Sequence, residues 1–153
     1  MAKGHHEIEL DLPIHSIWNY ISDINNWAPL VPGYQEHQII NERESIWKIH
    51  GDIGKFEKTV QLRVLITEWT PPSVIHFELS NFNQTCVGNG YFKAASLTTK
   101  RTKMIGYLNV KIKGKLKPVI NPILTTIVPK VGKNFTEKVA NKLVERERAR
   151  ATI

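Results

Sequence analysis

The chain has 153 residues, a net charge of +7 and 41% hydrophobic residues, which is typical of one ordinary globular domain and excludes a disordered or fibrous chain. Its single cysteine, Cys86, excludes an intrachain disulfide. No apolar run is long enough to span a bilayer, and no apolar stretch follows the polar start. We therefore expect a cytoplasmic protein with one domain over residues 1–153.

The positive charge is concentrated in the last third. Residues 1–99 hold 7 Lys or Arg against 11 Asp or Glu, whereas residues 100–153 hold 14 against 3. This asymmetry favours an anionic partner, either a membrane surface or an acidic protein, although a solvated surface explains it equally well. Nucleic acid is disfavoured as the partner because no aromatic residues alternate with the lysines. The residues expected to contact an anionic surface, with the protein peripheral to the membrane, are Lys111, Lys113, Lys115, Lys117, Lys130 and Lys133.

The first elements are a strand and a short helix. His6, Ile8, Leu10 and Leu12 alternate with acidic residues, and this period of two predicts a half-buried strand. Pro13 suits a first helical position. After it, apolar residues at positions 14, 17, 18 and 21 lie on one helical face. The prolines and the glycine within residues 22–33 then allow only one or two further helical turns.

The middle of the chain predicts six more strands, at residues 34–40, 45–50, 56–69, 74–80, 84–98 and 102–115. Polar turns at 41–44, 51–54 and 99–101 separate three pairs of them, and Pro71 and Pro72 end the third. In the last strand Met104 and Leu108 are expected to face one way. Lys111, Lys113 and Lys115 should face the other.

Residues 119–150 predict a long amphipathic helix, because apolar residues recur there at steps of three and four. Pro129 should kink this helix or split it near Val128. Six strands joined by hairpins give an antiparallel sheet, and only this helix is long enough to cover one of its faces. The sequence therefore predicts an α+β fold: a curved seven-stranded sheet around the helix, with a closed apolar cavity between them.

Three segments resemble the START-like, or SRPBCC, superfamily and its helix-grip fold. They are LPIHSIWNYISD at residues 12–23, WAPLVPG at 27–33, and the strands followed by a long final helix. VPG at 31–33, GDIGKF at 51–56 and GNG at 88–90 are most similar to the CoxG-like branch, which takes its name from an accessory protein of carbon monoxide dehydrogenase. The resemblance implies a deep hydrophobic cavity for a lipid, sterol, polyketide, quinone or hormone. Members of this superfamily include carriers, polyketide cyclases, and membrane-linked accessory proteins of a molybdenum enzyme. The resemblance therefore implies a role of one of these kinds.

The residues expected to line the ligand pocket come from every part of this fold. They are Trp18, Trp27, Leu30, Val31, Val60, Leu62, Phe77, Cys86, Leu108, Leu124, Ile127, Val131 and Phe135. Cys86 is expected as a small buried residue rather than a nucleophile. The pair Gly88 and Gly90 should allow sheet curvature or close approach of a ligand, because no helix follows to complete a phosphate site.

Three hypotheses on function follow. The first is a non-enzymatic binder or carrier of a lipid-like, quinone-like or polyketide-like molecule. The second is a cyclase or dehydratase that uses His50, His76 or Tyr107 as an acid–base group, although no catalytic residue is assigned. The third is an accessory protein that docks an acidic partner through its basic end. The six histidines lack metal-ligand spacing, so we predict no metal and no cofactor.

Overall fold

A computed structural model describes residues 2–53 and 56–151 of the chain. The strands are β1 (Ala2–Leu10), β2 (Tyr34–Ile39), β3 (Glu44–Ile53), β4 (Phe56–Thr70), β5 (Val74–Asn81), β6 (Cys86–Thr98) and β7 (Arg101–Ile112). The helices are α1 (Ile14–Ile21), α2 (Ile24–Trp27), a 3-10 turn (Ala28–Leu30) and α3 (Lys117–Ala151). The element order predicted from the sequence is confirmed.

The seven strands form one antiparallel sheet in the order β1-β7-β6-β5-β4-β3-β2. Gly90 lies opposite Phe77 on one side and Leu108 on the other. Since directly opposed residues share a face, Phe77 and Leu108 point to the same side of the sheet. Leu108 packs against the buried side chains of α3, so this is the face that the helix covers. The helix-grip fold is therefore confirmed.

The predicted turn at residues 51–54 is wrong for its first three residues. β3 continues to Ile53, with Gly51 opposite Lys58, so this hairpin is longer than the polar pattern indicated. Gly54 lies outside the described residues. The last strand is also shorter than predicted: β7 ends at Ile112, and Lys113 and Lys115 belong to the loop before α3.

Helix α3 is one helix of 35 residues, not split at Pro129. Each internal proline, Pro122 and Pro129, removes one backbone donor. Packing of the neighbouring Ile120, Leu124 and Val128 against β7 offsets this loss and keeps the backbone helical.

The buried side chains form two clusters at opposite ends of α3. One contains Ile17, Met104 and Leu143 and joins α1 to β1, β7 and the end of α3. The other contains Ile120, Leu124 and Val128 and joins the start of α3 to β7. We call the end of the sheet covered by α1 the closed end. The opposite end, where β5 and β7 finish and β6 begins, is the open end.

None of the helices within residues 2–53 and 56–151 combines the length and apolar content that crossing a bilayer requires.

Candidate functional site

An apolar groove runs along the concave face of the sheet, between β3–β6 and α3. The strand side chains that line it are Ile49, Val60, Leu62, Val64, Phe77, Leu79 and Cys86. All of them are only partly buried, and none belongs to either core cluster. Seven inward side chains thus keep water-accessible surface, and α3 packs mainly against β1 and β7 rather than against these strands. The space between the sheet and α3 is therefore not filled by side chains, and we call it the groove.

Two glycines of β6 form the floor of the groove. A Cβ at position 90 would lie 2.5 Å from Cζ of Phe77 and still nearer to the carbonyl oxygen of Tyr107. A Cβ at position 88 would lie 3.2 Å from Cδ1 of Leu79. The absence of side chains therefore lets Phe77 and Leu79 lie across β6, whereas the approach of a ligand to these glycines stays a prediction.

Helix α3 carries two parallel apolar stripes. Ile120, Leu124 and Val128 form the buried stripe that faces β7. A second stripe follows at four-residue steps and is only partly buried; it contains Ile123, Ile127, Val131 and Phe135. Phe135 lies on the groove side, since its ring is 5.9 Å from that of Trp27. The second stripe therefore forms the helical wall of the groove.

Aromatic rings close the side of the groove nearest β2. Trp27 stacks on Trp47 with 5.8 Å between ring centroids, and Trp47 itself is 5% exposed. The indole N–H of Trp27 donates to the carbonyl oxygen of Ile21 at 2.9 Å. Because that donor is already satisfied, Trp27 offers a bound molecule only its apolar ring.

The predicted pocket residues separate into three groups. Those that line the groove are Val60, Leu62, Phe77, Cys86, Ile127, Val131 and Phe135, of which Phe135 also packs against the first core cluster. Trp27, Leu30 and Val31 are partly buried in the short helical segment beside it. Trp18 and Leu124 are 9% exposed and pack in the two clusters, and Leu108 packs against the second of these. These last three belong to the core because Trp18 packs from α1 into the first cluster, and Leu124 of α3 and Leu108 of β7 pack together in the second.

Cys86 faces the groove at its open end. Burial raises the pKa of the Cys86 thiol, since the charged form loses solvation. No cation or hydrogen bond acts in the opposite direction. The thiol therefore stays protonated at neutral pH and behaves as a small apolar lining group.

A hydrogen-bonded chain that the sequence analysis missed lies at the β2 edge of the groove. The Tyr34 hydroxyl is 2.7 Å from Nδ1 of His37, and Nε2 of His37 is 2.8 Å from Oδ1 of Asn25. Since an amide oxygen only accepts, Nε2 carries the hydrogen and Tyr34 donates to Nδ1. The His37 ring also stacks on Trp47 at 5.1 Å. The spacing of twelve residues between Asn25 and His37 follows no motif.

The acid–base residues proposed from the sequence lie on the other face of the sheet. His50 is 3.1 Å from the Thr59 hydroxyl, on the convex face. His76 and Tyr107 both contact the ring of Tyr91 on that face, at 5.3 and 5.0 Å. None of the three reaches the groove, because strand parity directs them away from α3.

The lysines predicted to contact an anionic surface divide into two sets. Lys111, Lys113, Lys115 and Lys117 lie together at the open end, between the last strand and the first turn of α3. Lys130 and Lys133 are exposed on α3, about 20 Å further along the helix axis. Only the first set lies at the end of the sheet where the groove opens, and Lys111, which has the same strand parity as Tyr107, points to the convex face there.

Comparisons with known proteins agree with this architecture. One protein-family model matches residues 1–147. A conserved protein from Geobacillus kaustophilus is 14% identical, with 94% of this chain and 95% of that chain covered and a TM-score of 0.78. The ZhuI aromatase/cyclase from Streptomyces sp. R1128 is 17% identical, with 96% of each chain covered and a TM-score of 0.75.

A START superfamily protein from Mycobacterium smegmatis is 12% identical, with 95% of this chain and 99% of that chain covered and a TM-score of 0.72. At these identities the likeness shows the shared fold. A search of curated protein sequences gives no significant match.

Proposed function

We propose that this chain, which belongs to the START-like or SRPBCC superfamily, binds an apolar small molecule in the groove between its sheet and α3. The ligand would be lipid-like, quinone-like or polyketide-like, and the whole of residues 1–153 would serve as one binding domain. The assignment to the CoxG-like branch remains a prediction.

The observation that carries this proposal is the incomplete burial of the inward side chains. In a well-packed interior, inward apolar residues fill the space between sheet and helix. Here Leu62, Phe77 and Ile127 face the concave side and yet remain partly exposed. An apolar ligand that covered them would gain about 25 cal/mol for each Å² removed from water.

A pair of charge substitutions on β4 tests the proposal. Leu62 faces the groove and its neighbour Gln61 faces the convex surface, so Leu62→Glu and Gln61→Glu add the same charge on opposite faces. We expect the neutral dye N-phenyl-1-naphthylamine to bind the wild type saturably, with a rise in fluorescence. The affinity for the dye should fall more than tenfold, which is more than about 1.4 kcal/mol, in Leu62→Glu only. The reason is that a bound dye would cover the new charge and remove it from water.

Native mass spectrometry of the purified protein, followed by solvent extraction, would identify the class of ligand. Retention of an apolar mass that Leu62→Glu lacks would support the proposal. Failure of the wild type to bind any dye, lipid or quinone would refute it.

The second candidate function is acid–base catalysis of the cyclase or dehydratase type. The Tyr34–His37–Asn25 chain favours it, because Nδ1 of His37 is arranged to take the proton of the Tyr34 hydroxyl. The test is cyclisation of a linear aromatic-polyketide analogue, followed by absorbance. Equal rates in wild type, Tyr34→Phe and His37→Gln would remove this candidate.

A further inference from the structure

A phenylalanine at the open end is held entirely in solvent by an ordered turn. Phe82 has a relative exposure of 102%. The Asn81 side chain accepts from the Cys86 N–H at 2.9 Å and donates to the Thr85 hydroxyl at 2.7 Å. The Thr85 hydroxyl in turn donates to Oδ1 of Asn83 at 2.8 Å. The exposure of the ring is thus imposed by a hydrogen-bonded turn.

The loop before α3 lies beside this turn, and the loop and the first turn of α3 each add one exposed aliphatic residue. The N–H of Lys113 donates to the carbonyl oxygen of Thr85 at 2.7 Å, which joins the two segments. Leu116 is 52% exposed and Val119 is 47% exposed. Three bare apolar side chains therefore occupy one end of the molecule.

Four lysines of the segment 111–117 belong to the same end of the molecule as these apolar residues. We define the basic lobe as Phe82, Leu116 and Val119 together with Lys111, Lys113, Lys115 and Lys117. Among the side chains that the structure describes, those of residues 3–51 and 58–150, no ion pair involves these four lysines. The sequence also contains no Asp or Glu between Glu78 and Glu137. The lobe therefore carries four positive charges that are not paired with any carboxylate among the described side chains.

We propose that the basic lobe docks on the surface of an anionic lipid bilayer. The lysines would meet the headgroups, and Phe82 would enter the boundary between headgroups and acyl chains. Charge complementarity requires an anionic partner, and the projecting ring requires an apolar phase next to that charge. A bilayer interface supplies both within a few ångströms, whereas a nucleic-acid duplex keeps its bases stacked inside and presents a projecting ring with charged backbone. Single-stranded nucleic acid could stack a base on one ring, but it offers no apolar phase for Leu116 and Val119.

Docking in this orientation would place the open end of the groove against the membrane. β5, β6 and β7 all have their lobe-side ends there, and Cys86 and Leu79 lie just inside. The α1 end is closed by the first core cluster and would face away. An apolar ligand could then enter the groove from the bilayer. This consequence rests on the proposed function, whereas the docking of the lobe on the membrane does not depend on it.

Co-sedimentation with vesicles tests the proposal on the full chain without any added ligand. Wild-type protein should bind vesicles of phosphatidylcholine with phosphatidylglycerol, and bind those of phosphatidylcholine alone much less. Phe82→Ser should reduce the partition coefficient roughly tenfold, since part of the ring's transfer free energy is lost. Its thermal unfolding should not change, because the ring makes no contact in the folded chain.

Matched controls distinguish the lobe from general stickiness. Leu97 is 46% exposed near the end of β6, at the opposite end of the sheet, so Leu97→Ser should bind vesicles as the wild type does. Charge reversal at Lys113, Lys115 and Lys117 should abolish binding, whereas reversal at Lys130 and Lys133 should weaken it much less. The dye assay for Leu62→Glu is run without vesicles, so failure of ligand binding and failure of docking are separate results.

Two outcomes would overturn the proposal. One is wild-type protein that does not sediment with anionic vesicles, which would leave an acidic protein as the partner of the lysines. The other is a Phe82→Ser variant that binds as tightly as Leu97→Ser. That result would reduce the contact to charge alone and remove the insertion of Phe82.

Discussion

Substitution of Gly90 tests whether the floor of the groove is as tightly packed as the structure indicates. A Cβ at this position would lie 2.5 Å from Cζ of Phe77 and nearer still to the backbone oxygen of Tyr107. The Phe77 ring can rotate away, but the Tyr107 carbonyl is held in the β6–β7 ladder. Gly90→Ala must therefore shift a backbone strand, which costs about 2–3 kcal/mol by comparison with overpacked cores.

The expected effect is large enough for a simple unfolding assay. For a domain of this size, each kcal/mol lowers the melting temperature by about 2–4 °C, so Gly90→Ala should melt roughly 5–10 °C below wild type. Gly51→Ala is the matched control, because the nearest atom to its Cβ would be the Lys58 oxygen at 3.7 Å. That variant should be neutral or slightly stabilising, since alanine restricts the unfolded chain more than glycine does.

Thermal unfolding followed by circular dichroism compares the two variants directly. The double variant Phe77→Ala with Gly90→Ala should remain destabilised, because the clash with the Tyr107 oxygen persists when the ring is removed. A Gly90→Ala protein that melts at the temperature of Gly51→Ala would refute the reasoning. It would mean that β6 has room for side chains on its concave face.

Three further predictions concern α3, the β1 edge and the cysteine. Leu143→Ala should lower the free energy of unfolding by about 3–5 kcal/mol, because Leu143 is 0% exposed. Ile127→Ala should lower it by about 1 kcal/mol or less and should weaken dye binding, because Ile127 is only partly buried. Equal losses in denaturant unfolding would contradict the assignment of one stripe to the core and the other to the groove. The hydrogen bond from Arg101 lowers the pKa of Glu9, so this contact stabilises the fold above the ordinary carboxyl pKa and its contribution is lost as pH falls through the lowered value. In Arg101→Gln an NMR titration should return the Glu9 pKa to its usual range, and an unchanged titration would exclude Arg101 as the cause. Because burial raises the pKa of Cys86, its alkylation by iodoacetamide should be slow at neutral pH. Bound dye should make the alkylation slower still. Alkylation at the rate of a free thiol would show that the groove does not shield Cys86.

Strand parity is readable from the sequence to the level of single residues. The alternation predicts Val60, Leu62 and Phe77 on the concave face, and the register places them there. Alternation has a period of two in a regular strand, so it holds without knowledge of the neighbouring strand until a bulge interrupts it, as between Ile66 and Glu68 in β4. The same pattern could not show that β3 extends to Ile53, because hairpin length depends on cross-strand pairing with β4.

The candidate site was only partly predictable for the same reason. Trp18 and Leu124 have the spacing of pocket residues, yet α1 and β7 bury them in the core. The chain from Asn25 through His37 to Tyr34 joins a helix to an edge strand across a loop, and no local pattern marks it. The exposure of Phe82 depends on four side-chain and backbone hydrogen bonds that fold its turn outward.

By itself the sequence determined the order of the elements, the face that each strand presents to the helix, and the concentration of positive charge in the last third. These properties follow from periods of two and 3.6 residues and from composition, which are local. Only the tertiary structure decided which stripe of α3 is core and which lines the groove, and that Phe82 and four lysines share the groove's open end. Those outcomes depend on where α3 packs against β7 and against β1 at the other end of the chain, and local periodicity cannot specify a contact between segments so far apart in sequence.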